Sequence, residues 1–434
     1  MGYNGRESQT GAVTNPTMPN PVLPAQPTFN LFGPKFRAEA YAVYAQMREV
    51  APVYRRVHRQ DGRATCFFTR YEDAVAVLRD HRRFVKDVRN CLTPEERAQL
   101  PPEPELIRLL SHHMLNLDPP DHTRLRALVN KAFTARMVEQ LSDRIQQLAD
   151  RLLDRVQARG TMDLIQDFAF PLPISVIAEL LGIPARDRNR FRAWSSALVS
   201  PSADSRRNAQ KLARSRQSME DFIHYLGQIL EERRHQPQDD LITSLVQAEE
   251  AGDVLSQEEL YSMILLLTVV GHETTVNLIG NGMLALLSHP SQLALLQEAP
   301  TLLPGAVEEM LRYDCPVERA PMRYAAEDLE MHGVRVRRGD AISVVLGSAN
   351  RDPAIFPQPD RFDITRSPNR HLAFGLGIHY CLGAALARLE GRIAVETLLR
   401  RLPNLRLAAP VESLRWRTNP IMRGLQRLPV RWDT

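Results

Sequence analysis

The chain has 434 residues, 44% of them apolar, and a formal net charge of +4. That is enough chain for a well-filled core, and too little excess charge to point to nucleic acid or a membrane surface. The cysteines are Cys66, Cys91, Cys315 and Cys381, none at CxxC or CxxxC spacing, which excludes the usual zinc and redox-pair patterns.

Residues 1–28 are rich in Pro, Asn, Thr and Gly and read as a disordered tail. No charged-then-apolar leader begins the chain, and Arg6 breaks the myristoylation pattern that Met1-Gly2 opens. No run reaches the ~20 apolar residues of a membrane span, so a soluble cytoplasmic protein is expected, with residues 29–434 as one domain. Helical periodicity runs from Phe36 to about Val50. Val53–Val57 and Thr65–Thr69 read as strands around the turn Asp61-Gly62. Tyr71–Leu78 reads as a short helix, and the stretch from Arg83 to Leu117 as a long loop of the kind that forms lids.

Pro120 is expected to open a helix at its first turn. His122 and Arg126 then stand four apart on one face. Two such donors could hold carboxylate oxygens; the same pair also fits a solvated basic face. Residues 136–158 and 171–181 read as amphipathic helices. Asp187–Val199 and Asp204–Arg234 read as a helical pair joined by Ser200-Pro201-Ser202.

Ser256 and Glu259 form a capping box ahead of an apolar run. The helix they open is expected to reach Ser288, before His289-Pro290. Apolar residues go all round it at Met263–Val270, so burial is expected. Inside it lies Gly271-His272-Glu273-Thr274-Thr275. Gly271 costs about 1 kcal/mol against alanine, and threonine hydroxyls can bond back to the i−4 carbonyl. A glutamate in so apolar a helix is costly unless paired or employed. One reading is a local bulge carrying an acid and an alcohol beside a reactive centre. The other is a helix-stabilising threonine pair with a capped glutamate.

A further helix, Pro304–Tyr313, carries Glu309 and Arg312 three apart, a spacing that usually means a surface pair. Residues 319–347 alternate between turns and read as a small sheet. Next comes Phe374-Gly375-Leu376-Gly377-Ile378-His379-Tyr380-Cys381-Leu382-Gly383 and then a helix-forming run to about Leu402. Cys381 thus sits at a helix N-terminus, where free N–H groups and the dipole favour a thiolate. Gly375 and Gly377 let the backbone turn and a flat group approach. Trp416-Arg417 and Leu428–Val430 read as terminal strands.

This cysteine loop resembles the haem-binding loop of the cytochrome P450 family, Phe-Gly-x-Gly-x-His-x-Cys-x-Gly, at every defined position. Gly271–Thr275 resembles the family's acid–alcohol segment. Glu309, Arg312 and Arg361 resemble its Glu-x-x-Arg…Arg triad, which has a folding role. With Asn350-Arg351-Asp352-Pro353, the resemblance covers about residues 36–432. A bacterial soluble cytochrome P450 is expected, mainly α with small β-sheets around a buried haem b.

The resemblance implies Cys381 as the iron's axial ligand. It implies His122, Arg126 and Arg323 at the propionates, and Phe374, Gly375, Gly377, His379 and Gly383 around the cofactor. Glu273 and Thr274 are the implied catalytic pair. The loop 84–116, Leu266, Val270, Val317, Ala320 and Ile421 are expected to line the substrate side. Val270 stands where the family more often has Ala or Gly. The implied activity is oxygen insertion into a lipophilic molecule: a steroid, terpenoid, fatty acyl or polyketide-like compound. Ferredoxin and ferredoxin reductase would supply the electrons, with NAD(P)H only indirect. Arg124, Lys131, Arg136, Arg388 and Arg392 would form the docking patch; the same charges also fit a solvated face. A monomer is expected. A peroxide-driven haem enzyme and a haem-based sensor are the alternatives, and the intact acid–alcohol pair argues against both.

Overall fold

The computed structural model of the protein describes residues 27–58, 62–103, 108–109, 111–199, 209–250 and 255–434. Most of the expected tail, the turn residue Asp61 and the connection Ser200-Pro201-Ser202 lie outside them.

Gly33–Val50 forms α1, followed by the antiparallel pair β1 (Val53–Val57) and β2 (Ala64–Phe68) and by α2 (Tyr71–Arg79). Among its described residues the expected irregular stretch includes a short strand, β3 (Phe84–Val85), and the single-turn helices Val88–Cys91 and Pro94–Ala98. Helix α3 (Asp121–Ala132) begins one residue later than the sequence suggests. Pro120 is its N-cap, not its first turn.

The expected helix 136–158 is two, Ala135–Gln140 and α4 (Ser142–Asp154). The break falls at Leu141, whose N–H turns back to the Val138 carbonyl in a three-residue hydrogen bond. Helix α5 (Pro171–Leu180) is not amphipathic. Every residue but Glu179 is buried, because α4, α6 (Arg188–Val199) and the long helix Gln257–Leu287 all pack on it. Ala209–His235 is α7 and Gln257–Leu287 is α8.

The α8 helix runs 31 residues, about 45 Å at 1.5 Å per residue. Its capping box is formed. Glu259 N–H donates to Ser256 Oγ at 3.2 Å, and Ser256 N–H to the Glu259 carboxylate at 2.8 Å. It is the only described helix long and apolar enough to cross a membrane, and most of it is buried in the core. Helices α5, α9 (Leu303–Tyr313) and α10 (Ala384–Arg401) pack on it.

The expected sheet at 319–347 is local in part: Leu329–Met331 and Val334–Val336 pair antiparallel around His332-Gly333, but its other two strands belong to a larger sheet. Strands β4 (Arg323–Ala325) and β5 (Ala341–Val344) join the N-terminal hairpin in the order β1-β2-β5-β4-β3. β5 runs parallel to β2, with Cys66 opposite Ile342. Near the C-terminus Pro429–Arg431 pairs with Thr161–Asp163 and Arg406–Leu407. Helices thus enclose α8 on several sides, and the sheet closes the end where β4 and the loop before α10 meet.

Candidate active site

The cysteine loop is shaped by its glycines. Gly375 and Gly377 have φ of +68° and +74°, a region that side chains rarely enter. At Gly377 a Cβ would also lie 2.5 Å from the Leu78 carbonyl oxygen, so the loop rests directly on α2. The Cys381 N–H closes the loop on the Phe374 carbonyl at 2.9 Å. Gly383 caps α10 and has open space where a Cβ would stand.

Above the loop lies a cavity with about 1510 Å³ of space free of protein atoms, part of it open to solvent. Cys381, Phe374, Gly375, His379 and Gly383 line one wall. Thr274, Val270 and Leu266 of α8, with Val317 and Ala320, line the cavity as well. Met114 and Leu115 come from the loop before α3. Ile421 is 37% exposed and does not line this cavity, contrary to expectation; the hairpin that carries it turns its side chain outward.

Burial pushes the Cys381 thiol up, against the Gly383 N–H and the Arg126 and Arg388 charges that pull it down. The helix terminus alone therefore does not yield the thiolate that the sequence suggests. A metal cation bound to sulfur deprotonates a coordinating thiol outright. The opposite corner supplies its own test of what fits. His122, Arg126, Arg323 and His379 face the cavity together, with Lys86, which the sequence reading missed. None of the five has an acid partner within salt-bridge distance among the described residues.

Both ring nitrogens of His122, Nε of Arg323 and Nε2 of His379 are buried without a hydrogen-bond partner. Burial holds His122, Arg126 and Arg323 below their usual values, and pushes Lys86 down to about 7. Burial, helped by Arg323 and Lys86, takes His379 to about 2. Such crowding is costly unless an anion enters. A flat dianionic cofactor whose iron Cys381 would bind and whose two carboxylates these cationic groups would hold meets both needs. Haem has that chemistry.

On α8 the helix continues unbroken through Gly271, so the bulge, one of the two readings of this segment, is absent. Gly271 instead serves close packing, since a Cβ there would meet Ile177 Cδ1 at 2.6 Å. Thr274 Oγ1 faces the cavity and donates to the Val270 carbonyl at 2.9 Å. Glu273 does not line the cavity. Its side chain is 4% exposed and pairs with Arg417 at 2.5 Å. Neighbouring His272 is buried, with Nδ1 donating to the Thr268 carbonyl at 2.8 Å.

Glu309 and Arg312 form a buried two-armed pair at 2.7 and 2.8 Å. Arg361 does not complete it. Its guanidinium reaches Gln358 at the surface, and only its carbonyl meets Arg312. The second cation on Glu309 is Arg366, at 3.3 Å. Of the expected docking charges, Arg388 is bound to Glu308 at 2.7 Å and Arg124 to Glu259. Nothing in the sequence distinguished Arg366 or Arg417 from the many other arginines.

A mainly helical fold wrapped around one long helix, with a glycine-shaped cysteine loop facing it, defines a haem-thiolate protein. The family model for cytochrome P450 matches residues 58–405. The chain is 45% identical over 402 residues to the vitamin D(3) 25-hydroxylase of Pseudonocardia autotrophica, covering 92% of this chain and 96% of that one. The structure of the PksS cytochrome P450 of the bacillaene polyketide synthase from Bacillus subtilis superposes with a TM-score of 0.86 at 43% identity, over 94% and 100% of the two chains. That of myxobacterial CYP267B1, solved with myristic acid, gives 0.84 at 48%, over 93% and 99%. The chain belongs to the cytochrome P450 family, and it is a bacterial P450 monooxygenase.

Proposed function

We propose that this monooxygenase takes electrons from a separate ferredoxin and reductase and inserts one oxygen atom into a lipophilic small molecule. The observation that carries the reading is that Thr274 of α8 lines, beside Leu266 and Val270, the same cavity that Cys381 lines. When bound, haem with a thiolate ligand supplies oxygen activation and favours O–O cleavage.

The protein's own residues do the rest. Cys381 Sγ holds the iron. His122, Arg126, Arg323 and His379 hold the carboxylates, with Lys86 beside them. Leu266, Val270, Val317 and Ala320 exclude water and orient an apolar substrate. Thr274 holds a proton at Oγ1, and Glu273 passes protons inward from the surface side through water. The relatives named for vitamin D3, for a polyketide and for a fatty acid suit the same apolar cavity. Steroid-like, polyketide-like and fatty acyl compounds are therefore the substrate classes to try. The burial of α8 in the core supports a helix that does not cross a membrane; the state proposed is a cytoplasmic monomer.

The test is a spectral titration of the purified haem protein with vitamin D3, testosterone, myristic acid and a macrolide. At least one should shift the iron spin state, and Thr274→Ala should then divert electrons from product to hydrogen peroxide. Undiminished coupling in Thr274→Ala would remove Thr274 from proton delivery.

A further inference from the structure

We infer that Arg417 is a positioning residue for Glu273, holding its carboxylate ionised and turned to the C-terminal hairpin, where solvent reaches it. The inference rests on the reading of Glu273 as a proton relay.

Residues 415–426 fold back on themselves. Arg417 N–H donates to the Gly424 carbonyl and Gln426 N–H to the Arg415 carbonyl, each at 2.8 Å, around the bridge between Trp416 and Leu425. This hairpin lies along one face of α8, the face of Glu273, Asn277 and Asn281, which are spaced four apart. It touches that face at three successive turns. Arg417 binds Glu273. At Gly424 a Cβ would fall 1.9 Å from Asn277 Oδ1, so backbone and helix are in direct contact. Asn281 Nδ2 donates to the Arg423 carbonyl at 2.9 Å. Val270 and Thr274 lie on the cavity side of the same helix.

Glu273 does not itself line the cavity, and of the pair its partner is the one that reaches the surface. Arg417 is 29% exposed against 4% for the Glu273 side chain. A guanidinium keeps its charge and cannot itself carry the proton. It fixes the carboxylate where water from the hairpin side can meet it. A buried carboxylate without that cation would take up a proton and stay neutral.

Infrared difference spectra of the haem protein test this without any substrate. Subtracting Glu273→Gln from the parent at neutral pH identifies the Glu273 band. The parent and Arg417→Lys should show it as carboxylate, since one N–O contact is all a lysine must replace. Arg417→Gln should show it as carboxylic acid. With a compound that shifts the spin state, Arg417→Gln should raise peroxide release on the order of tenfold, and Arg417→Lys should restore coupling. A carboxylate band in Arg417→Gln, or equal losses in the Gln and Lys variants, would overturn the role of Arg417. If Glu273→Gln itself leaves coupling unchanged, the relay reading of Glu273 fails, whatever the band shows in the Arg417 variants.

Discussion

Arg366 lies 3.3 Å from the Glu309 carboxylate, where family resemblance points to Arg361. Glu309 is fully buried and also accepts from Asp363 N–H and Asn369 Nδ2. Its carboxylate thus gathers Arg312, Arg366 and the segment that leads into the cysteine loop.

Arg366→Met should lower stability by about 1–3 kcal/mol, less than the full cost of breaking a buried pair because Arg312 remains. Arg361→Ala should stay within about 0.5 kcal/mol of the parent, as at other exposed sites. Urea unfolding of both variants decides between them. A larger loss at Arg361 would restore the arrangement expected from sequence.

Gly377 answers to two constraints at once, a positive φ and the Leu78 carbonyl 2.5 Å from a would-be Cβ. Gly377→Ala should therefore cost about 1–3 kcal/mol and reduce the haem retained after purification. Gly333→Ala, which shares the positive φ but has nothing within 4 Å of a Cβ and does not line the cavity, should retain far more. Equal haem content in the two variants would count against the packing of the loop on α2.

Much of this was legible beforehand. The capping box of α8, its burial and its end at Ser288 followed from local pattern alone. The cysteine loop followed from glycine positions and a helix start. What could not be read is non-local. Arg366 and Arg361 are five residues apart, and only the folded path of the segment decides which reaches Glu309. The β2–β5 pairing joins residues far apart in sequence. Helix α5 read as amphipathic; that α4, α6 and α8 all pack on it, leaving only Glu179 unburied, is a tertiary fact. The unbroken α8 shows that Gly271 answers to Ile177, a neighbour invisible in the sequence.

Glu390 of α10 lines the cavity fully buried, with neither carboxylate oxygen partnered. Burial pushes it from 4.5 up to about 8. Below 4.5 folded and unfolded chains both hold the proton. Between 4.5 and about 8 only the folded one does, so stability falls as pH rises through that window, by up to about 1.4 kcal/mol per pH unit. Glu390→Gln has no such loss. The melting-temperature difference, variant minus parent, should grow steadily from pH 5 to pH 8. A difference independent of pH would show Glu390 to be ionised throughout.

The most direct measurement is the absorption spectrum of the purified protein, reduced and exposed to carbon monoxide. Cys381 as axial ligand requires a strongly red-shifted Soret band, lost in Cys381→Ser. A band at the position typical of imidazole-ligated haem, or no haem at all, would contradict the assignment of Cys381 as the iron's ligand.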